Sequence, residues 1–288
     1  MLFRRVALRA MGSPCALHLY AASEEGLDAL AEAGIAELTR LESKYTRYRD
    51  DSLTSAINAS AGDECGTAVD DETAALLDYA ATAYRESGGR FDITSGVLRR
   101  VWDFRSGKLP EPAAVEALLA KVGWARVSWE RPRLVLPLPG MEIDFGGVVK
   151  EYAADRLAEL LRERGTRHGL VDLGGDLAVV GPHPDGSPWR VGIRDPDDRS
   201  RAKTSVSVFH GGVATSGDYE RCMWVDGVRY GHLLDPRNGW PVRGPASVTV
   251  LASHCLIAGT SSTVAMLSGE QQEYQLDFLA LQRLLDLD

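Results

Sequence analysis

The sequence predicts an α+β fold with mixed sheets. Three observations carry that expectation. Helical periodicity dominates up to residue 122, strand patterns dominate after Asp176, and helical periodicity returns from His254. That order segregates helices from strands rather than alternating them. No G-x-G-x-x-G occurs, which counts against a doubly wound nucleotide-binding unit. The central stretch 142–176 reads as strand, glycine turn, helix, strand and glycine turn.

Taken in order, residues 6–10 and 15–21 alternate apolar and polar side chains around a Met11-Gly12-Ser13-Pro14 turn and are expected as two strands. Residues 24–44 place Leu27, Leu30, Ala31, Ile35, Leu38 and Leu41 on one helical face. Asp51 or Ser52 is suited to cap a short helix ending near Asn58. Residues 71–87 form a second long helix stopped by Gly88-Gly89. The following G-G-R-F-D-I-T-S-G-V-L is polar, glycine-bounded and not obviously core. A third helix is expected over 112–122, then a strand pair at 125–129 and 133–138. Beyond Asp176, strands are expected at 189–194, 204–210, 212–215, 223–225, 228–234 and 247–251, with helices at 254–267 and 274–285.

In the central stretch, apolar residues lead into Asp144, with Gly146 and Gly147 close behind. The phrase returns 28 residues later as Asp172, Gly174 and Gly175. Between them Val149, Ala153, Leu157, Leu160 and Leu161 recur at helical spacing. Paired glycines let a backbone approach a ligand and let N–H groups converge on an anion at a helix N-terminus, where Lys150 adds positive charge. A tight turn without a ligand has the same letters.

Composition narrows the function. The 288 residues are 44% hydrophobic and 25% charged, ordinary for one large or two medium globular domains. A net charge of −9 disfavours non-specific binding to nucleic acid. No apolar run approaches the roughly 18 residues that a membrane span needs. Arg4, Arg5 and Arg9 alternate with apolar residues, a strand pattern rather than a signal core, so a cytoplasmic location is expected. Cys15, Cys65, Cys222 and Cys255 form no C-x-x-C and read as buried or inert thiols in a reducing compartment.

Three later stretches carry chemistry, and each also has a plain structural reading. A-T-S-G-D-Y at 214–219 suits a strand end near a phosphate or flavin ring, or is a turn. Y-G-H-L-L-D-P-R-N-G at 230–239 places His232 beside a turn, as a general base or as a structural histidine. A-G-T-S-S-T at 258–263 offers hydroxyls to a metal or a phosphate, or bonds them back to its own helix.

In sequence order these stretches resemble the ApbE family, the FAD:protein FMN transferases. The resemblance runs from Met11 to about Gly269. It rests on M-G-S-P, Y-R-D-D-S with Asn58, G-G-R-F-D-I-T, D-F-G-G-V-V-K-E-Y-A, D-L-G-G-D with V-G-I-R-D-P, A-T-S-G-D-Y, H-L-L-D-P-R-N-G and the Ser262-Thr263 pair. It implies one domain over 1–288, α+β and T-fold-like, with two sheet-containing lobes and flanking helices. It also implies binding of FAD with Mg²⁺, and transfer of FMN to a Thr or Ser of a target flavoprotein carrying a D-x-x-T-G-A-T type of acceptor, with release of AMP. Met11, Tyr48, Arg90, Phe91, Asp92, Asp144 and Lys150 would line the FAD site, with Thr215, Ser216 and Gly217 nearby. His232 would be the base that takes the acceptor hydroxyl's proton.

The chain departs from the family at the metal. The family's A-D-A-x-x-T, whose aspartate and threonine hold the ion, has Gly259 at the aspartate and keeps Thr263. The family's other metal contact is the backbone carbonyl at Val149. Where the family has K-G-Y-A, this chain has Lys150-Glu151-Tyr152-Ala153. One carboxylate is lost at Gly259 and one is gained at Glu151. Either Glu151 replaces the aspartate, or it is a solvated first-turn residue favoured by the helix dipole. On the first reading, Gly259→Asp is expected to restore the metal response that Glu151→Gln removes. Two other functions stay open: FAD binding without transfer, as storage or carrier, and hydrolysis of FAD to FMN and AMP.

Overall fold

The computed structural model describes residues 1–269 apart from Asp197, Arg199 and Glu220. In chain order the elements begin with β1 (Leu2–Ala10), β2 (Ser13–Ala21), α1 (Glu24–Tyr45), α2 (Leu53–Ala59), β3 (Thr67–Ala68) and α3 (Asp71–Glu86). A 3-10 helix over Ile93–Arg100 precedes α4 (Pro112–Leu119), β4 (Ser128–Glu130) and β5 (Arg133–Val135). Then come α5 (Val149–Glu163), β6 (Gly169–Leu173), β7 (Asp176–Gly181), β8 (Trp189–Arg194), β9 (Ala202–Val208) and β10 (Gly212–Gly217). Last are β11 (Cys222–Val225), β12 (Val228–Gly231), β13 (Ser247–Ala252) and α6 (Cys255–Leu267). Helices and antiparallel strands segregate as an α+β fold. The chain divides into two compact units.

The first unit comprises Met1–Lys44, Val148–Ser216 and Thr249–Ser262. Its six-stranded sheet has the order β1-β2-β6-β7-β10-β13. The β1–β2 hairpin runs in register from Leu2 opposite Ala21 to Ala10 opposite Ser13. Alternation along β2 sends Leu17 and Leu19 to one face, where both are fully buried. On that face a Cβ at Gly34 of α1 would come within 2.8 Å of Leu17 Cδ1, so the glycine sets how closely α1 packs. Helix α5 packs on β6 and β7 through Ala153, Leu157, Ala158 and Leu161. Leu170, Leu177, Val179 and Val213 form a cluster with Trp189 of β8 and Val208 of β9, and Tyr20 packs against it.

The second unit comprises, among the described residues, Tyr45–Gly147, Gly217–Val248 and residues 263–269. It holds a three-stranded sheet of order β3-β5-β4 and the β11–β12 ribbon. Ser52 caps α2 and Asp70 caps α3, each accepting an N–H three residues on. Val97, Leu98, Trp102, Val122 and Met223 form a core cluster flanked by Tyr230 and Trp240.

Several expectations need correction. Residues 141–144 form no strand. Met141 and Ile143 are buried in strand-like alternation, but the Asn58 side chain takes both the Ile143 N–H and the Ile143 carbonyl. The polar stretch after Gly89 is largely interior: Phe91, Ile93, Thr94, Val97 and Leu98 are buried in and around the 3-10 helix. Ile35 is exposed although it shares the apolar face of α1. Strands β3 and β7 were not foreseen. The expected strand 228–234 ends at Gly231, and α4 stops at Leu119. The expected helix 274–285 lies outside the described residues. Cys15 and Cys255 are buried, Cys222 is half-buried and Cys65 is exposed. Among the described residues no helix is long and apolar enough to cross a membrane.

Candidate active site

In the first unit, Met11 sits at the tip of the β1–β2 hairpin with φ of 49°, unusual for a side chain of its size. Its N–H donates to Glu42 Oε1 at 2.6 Å, which holds the turn. Val149 opens α5 and is buried. The next two side chains meet Asp176, the residue that opens β7. Lys150 Nζ lies 2.6 Å from Asp176 Oδ2. Burial would lower the Lys150 pKa, but Asp176 and Glu151 together raise it above the usual ammonium value. Burial first and Asp176 second push Glu151 up to about 8, against the pull of Lys150.

Glu151 is therefore not a solvated first-turn residue. It is 9% exposed, and its Oε2 is buried with no hydrogen-bond partner. Its side chain runs into α6. A Cβ built on Gly259 would lie 2.4 Å from Glu151 Cγ and 3.1 Å from Oε1. Gly259 lies inside α6 and is not among the glycines with positive φ, so the backbone does not demand glycine there. Glycine inside a helix costs roughly 0.5–1 kcal/mol relative to alanine. The room taken by Glu151 accounts for it. This corrects the expectation that Gly259→Asp rescues Glu151→Gln, because glutamine fills the same space.

Asp155, one turn further along α5, accepts the Cys255 and Leu256 N–H groups at 2.8 Å each and so caps α6. Burial raises its pKa to about 6 against those two hydrogen bonds. Burial, then Asp155, Asp176 and Glu151, push the Cys255 thiol well above its usual value. Thr215 pairs its hydroxyl with Thr249 at 2.8 Å, and its N–H points at Asp176 Oδ1 at 3.4 Å. Ser216 pairs with Ser262 at 2.8 Å, and Ser262 also donates to the Gly259 carbonyl at 2.9 Å.

In the second unit, Tyr48 is 82% exposed, with the Arg47 guanidinium 5.6 Å from its ring centroid. Arg47 also donates to the Gly96 carbonyl at 3.0 Å and to Asp144 Oδ2 at 3.2 Å. Asp144 packs on the 3-10 helix at Gly96, where a Cβ would lie 2.4 Å from its own. A polar cleft of about 290 Å³ beside Arg47 is lined also by Ser55, Asn58, Arg100 and Glu142. Arg90 Nη1 donates to the Ser87 carbonyl, and Ser87 Oγ accepts the Phe91 N–H. The buried Phe91 ring lies 3.5 Å from where a Gly147 Cβ would stand. Asp92 accepts from the Thr94 N–H, the Thr94 hydroxyl and the Trp124 N–H. Burial raises its pKa against those bonds. Gly217 closes β10, where a Cβ would strike the Tyr219 ring at 2.7 Å. His232 is half-buried in the bend after β12, and Thr263 is half-buried in α6.

Within the first unit, then, Lys150 and Glu151 come together at Asp176, and the Glu151 side chain lies against Gly259. Within the second, Asp144 meets Arg47, and Phe91 packs by Gly147. Sequence reasoning missed Asp176, Asp155 and Arg47 as site residues. Asp176 had a signal, since it closes the second glycine phrase. Asp155 and Arg47 had none, because each acts on a segment remote in sequence.

A sequence model of the ApbE family matches residues 11–282. The chain is 30% identical over 241 residues to the FAD:protein FMN transferase of Vibrio cholerae, an overlap of 82% of this chain and 72% of that one. It is 31% identical over 286 residues to the FAD:protein FMN transferase of Treponema pallidum, covering 92% and 79%. The crystal structure of the ApbE protein from Thermotoga maritima superposes with a TM-score of 0.87 at 29% identity, covering 97% of this chain and 90% of that one.

Proposed function

The chain belongs to the ApbE family, and from that premise we infer that it is an FAD:protein FMN transferase. It moves FMN from FAD to a Thr or Ser hydroxyl of a target flavoprotein and releases AMP. The observation that carries the reading is the extent of the likeness: family match and similarly named relatives span most of the chain.

FAD is the substrate. The proposed contacts are Met11, Lys150, Thr215 and Ser216 in the first unit, and Tyr48, Arg90, Phe91, Asp144 and Gly217 in the second. The Tyr48 ring, 82% exposed beside Arg47, offers surface on which a flat ligand would stack. Asp92 acts by holding Thr94 and Trp124, since its oxygens already accept three hydrogen bonds. In the reaction the acceptor hydroxyl oxygen attacks the FMN-side phosphorus. The bond from that phosphorus to the bridging oxygen breaks, AMP leaves with that oxygen, and His232 takes the hydroxyl proton. Such a transfer asks the protein chiefly for alignment, charge neutralisation and a base. The target is proposed to present a D-x-x-T-G-A-T type of segment, and the site of action to be the cytoplasm.

Mg²⁺ is the proposed metal. When bound it neutralises phosphate oxygens as charge develops on them. The residues present fit a hard cation: Glu151 Oε2 is a buried oxygen without a hydrogen-bond partner, Asp176 is a second carboxylate beside it, and the Gly259 turn of α6 that Glu151 touches carries the Ser262 hydroxyl and the Gly259 carbonyl. Glu151, the Val149 carbonyl and Thr263 are the proposed protein ligands, with Gly259 at the position of the missing aspartate.

The test is incubation with FAD, Mg²⁺ and an acceptor peptide, read by mass spectrometry. The expected product is peptide carrying FMN, with AMP released in equal amount. Free FMN with AMP would mean hydrolysis, and unchanged FAD would mean binding alone. His232→Ala is expected to slow transfer about 10²- to 10⁴-fold while leaving FAD affinity nearly unchanged. Transfer at the wild-type rate would make His232 structural.

A further inference from the structure

We propose that Glu151 and Gly259 are a matched pair, in which glycine vacates the volume that the Glu151 side chain crosses and the carboxylate so delivered is this chain's own anionic ligand for a divalent cation of the Mg²⁺ type. The inference rests on the transferase reading for the identity of the ion, and on geometry for the site.

Three observations carry it. Residue 259 has no room for a side chain while Glu151 holds its present rotamer, since the Cβ would stand 2.4 Å from Cγ. The backbone at 259 is not one that requires glycine. The carboxylate placed there keeps Oε2 buried without a hydrogen-bond partner. A buried carboxyl oxygen left so is unfavourable until a partner completes it, and a divalent cation does so by displacing the proton that burial otherwise favours. Lys150, whose charge also acts on Glu151, makes its ion pair with Asp176, at 2.6 Å. Among the described residues no group of three or more His, Cys, Asp or Glu side chains stands together as a ready cage. The ion's other ligands are therefore hydroxyl, carbonyl, water and phosphate oxygens, which Mg²⁺ prefers to a full protein cage.

The test uses the full chain and Mn²⁺ as the probe, counted by the electron paramagnetic resonance of the free ion, with and without FAD and with Mg²⁺ as competitor. Wild type is expected to bind one Mn²⁺ that Mg²⁺ displaces. Glu151→Gln, which keeps the shape, should weaken Mn²⁺ at least about tenfold, as losing even an outer-shell partner does, while melting temperature and FAD affinity, both measured without metal, hold. Gly259→Ala should lower the melting temperature in the wild-type background and cease to do so in a Glu151→Ala background. The exchange Glu151→Gly with Gly259→Asp should bring Mn²⁺ affinity back to within about tenfold of wild type. Unchanged Mn²⁺ binding in Glu151→Gln, or a Gly259→Ala variant as stable as wild type, overturns the pairing. A wild type that binds Mn²⁺ through Glu151 yet transfers no FMN overturns the transferase reading and leaves the metal site standing.

Discussion

The two Asp-x-Gly-Gly turns share their letters and their smallest-scale chemistry, and little else. Asp144 Oδ1 accepts the Gly146 N–H at 2.8 Å, and Asp172 Oδ1 accepts the Gly175 N–H at 2.9 Å. Both are aspartate-headed turns of the kind short carboxylates favour. In the second, Gly174 and Gly175 take φ of 69° and 95° and close the tight β6–β7 hairpin. In the first, Gly146 and Gly147 are absent from the positive-φ glycines, and the turn enters α5 through a short 3-10 segment. Asp144 also faces Arg47 at 3.2 Å and Arg99 at 4.0 Å. One turn needs glycine for its backbone angles. The other does not: at Gly146 a Cβ would stand 2.9 Å from Asp144 Oδ1, so the aspartate's own turn excludes a side chain there, while at Gly147 a Cβ would meet only Phe91 at an ordinary 3.5 Å.

The largest effect is expected where the backbone itself is at stake. In Gly174→Val a branched side chain must adopt φ of 69°, and its Cβ would lie 2.7 Å from Ser13 Cβ. Left-handed strain costs about 1–2 kcal/mol, and the overlap brings the total to about 2–4 kcal/mol. Urea unfolding measures it. A variant within about 0.5 kcal/mol of wild type would show that the turn relaxes freely.

Next comes the helix that joins the two turns. Asp155 of α5 has its pKa raised by burial to about 6, against about 3.9 in an unfolded chain. Below about pH 4 both states are protonated and the group contributes nothing to pH dependence. As pH rises from about 4 to 6 the unfolded state ionises first, so stability falls, and above about 6 the loss is constant. The loss is about 2–3 kcal/mol at most. Asp155→Asn cannot ionise and keeps one acceptor for the α6 caps. Its stability, measured by unfolding between pH 4 and 7, should lack this decline. A constant gap between the two proteins across that range would rule the titration out.

These cases mark how much was legible in the sequence. The α+β order, β1–β2, α1, α3 and α5 followed from periodicity, because each buries one regular face. The caps at Ser52 and Asp70 followed from residue type. The strand expected before Asp144 failed because one remote side chain, Asn58, supplied the hydrogen bonds a neighbouring strand would have given. The stretch after Gly89 looked polar because its polar side chains, Asp92 and Thr94, satisfy each other inside the unit. At the candidate site, Glu151 and Gly259 stood out by their departure from a known pattern. That the two share one volume is a fact of packing between helices, at positions 259 − 151 = 108 residues apart in the chain.

A third effect is smaller for the fold and specific for the ligand. In Gly147→Ala the added Cβ meets Phe91 at 3.5 Å, an ordinary contact, so stability should stay within about 1 kcal/mol of wild type. If the backbone of this turn approaches FAD, the methyl group should weaken FAD by about tenfold, or 1.4 kcal/mol. Fluorescence titration of FAD decides it, and unchanged affinity would remove the first turn from the flavin site.

The smallest effects sharpen the comparison most, because the same substitution is made in both turns. In Asp172→Asn the amide oxygen still accepts the Gly175 N–H, so the hairpin keeps its bond and loses only a charge at its end. Stability should move by less than about 0.5 kcal/mol and FAD affinity not at all. Asp144→Asn likewise keeps the Gly146 N–H bond. It also removes the negative charge from a half-buried Arg47 that already binds the Gly96 carbonyl. Loss of that charge-assisted bond should cost about 1 kcal/mol of stability and loosen Arg47 over Tyr48. If Asp144 lines the FAD site, FAD affinity falls with it. Equal responses of the two variants in both measurements would mean that the turns differ in backbone alone, and that Asp144 serves the fold rather than the flavin.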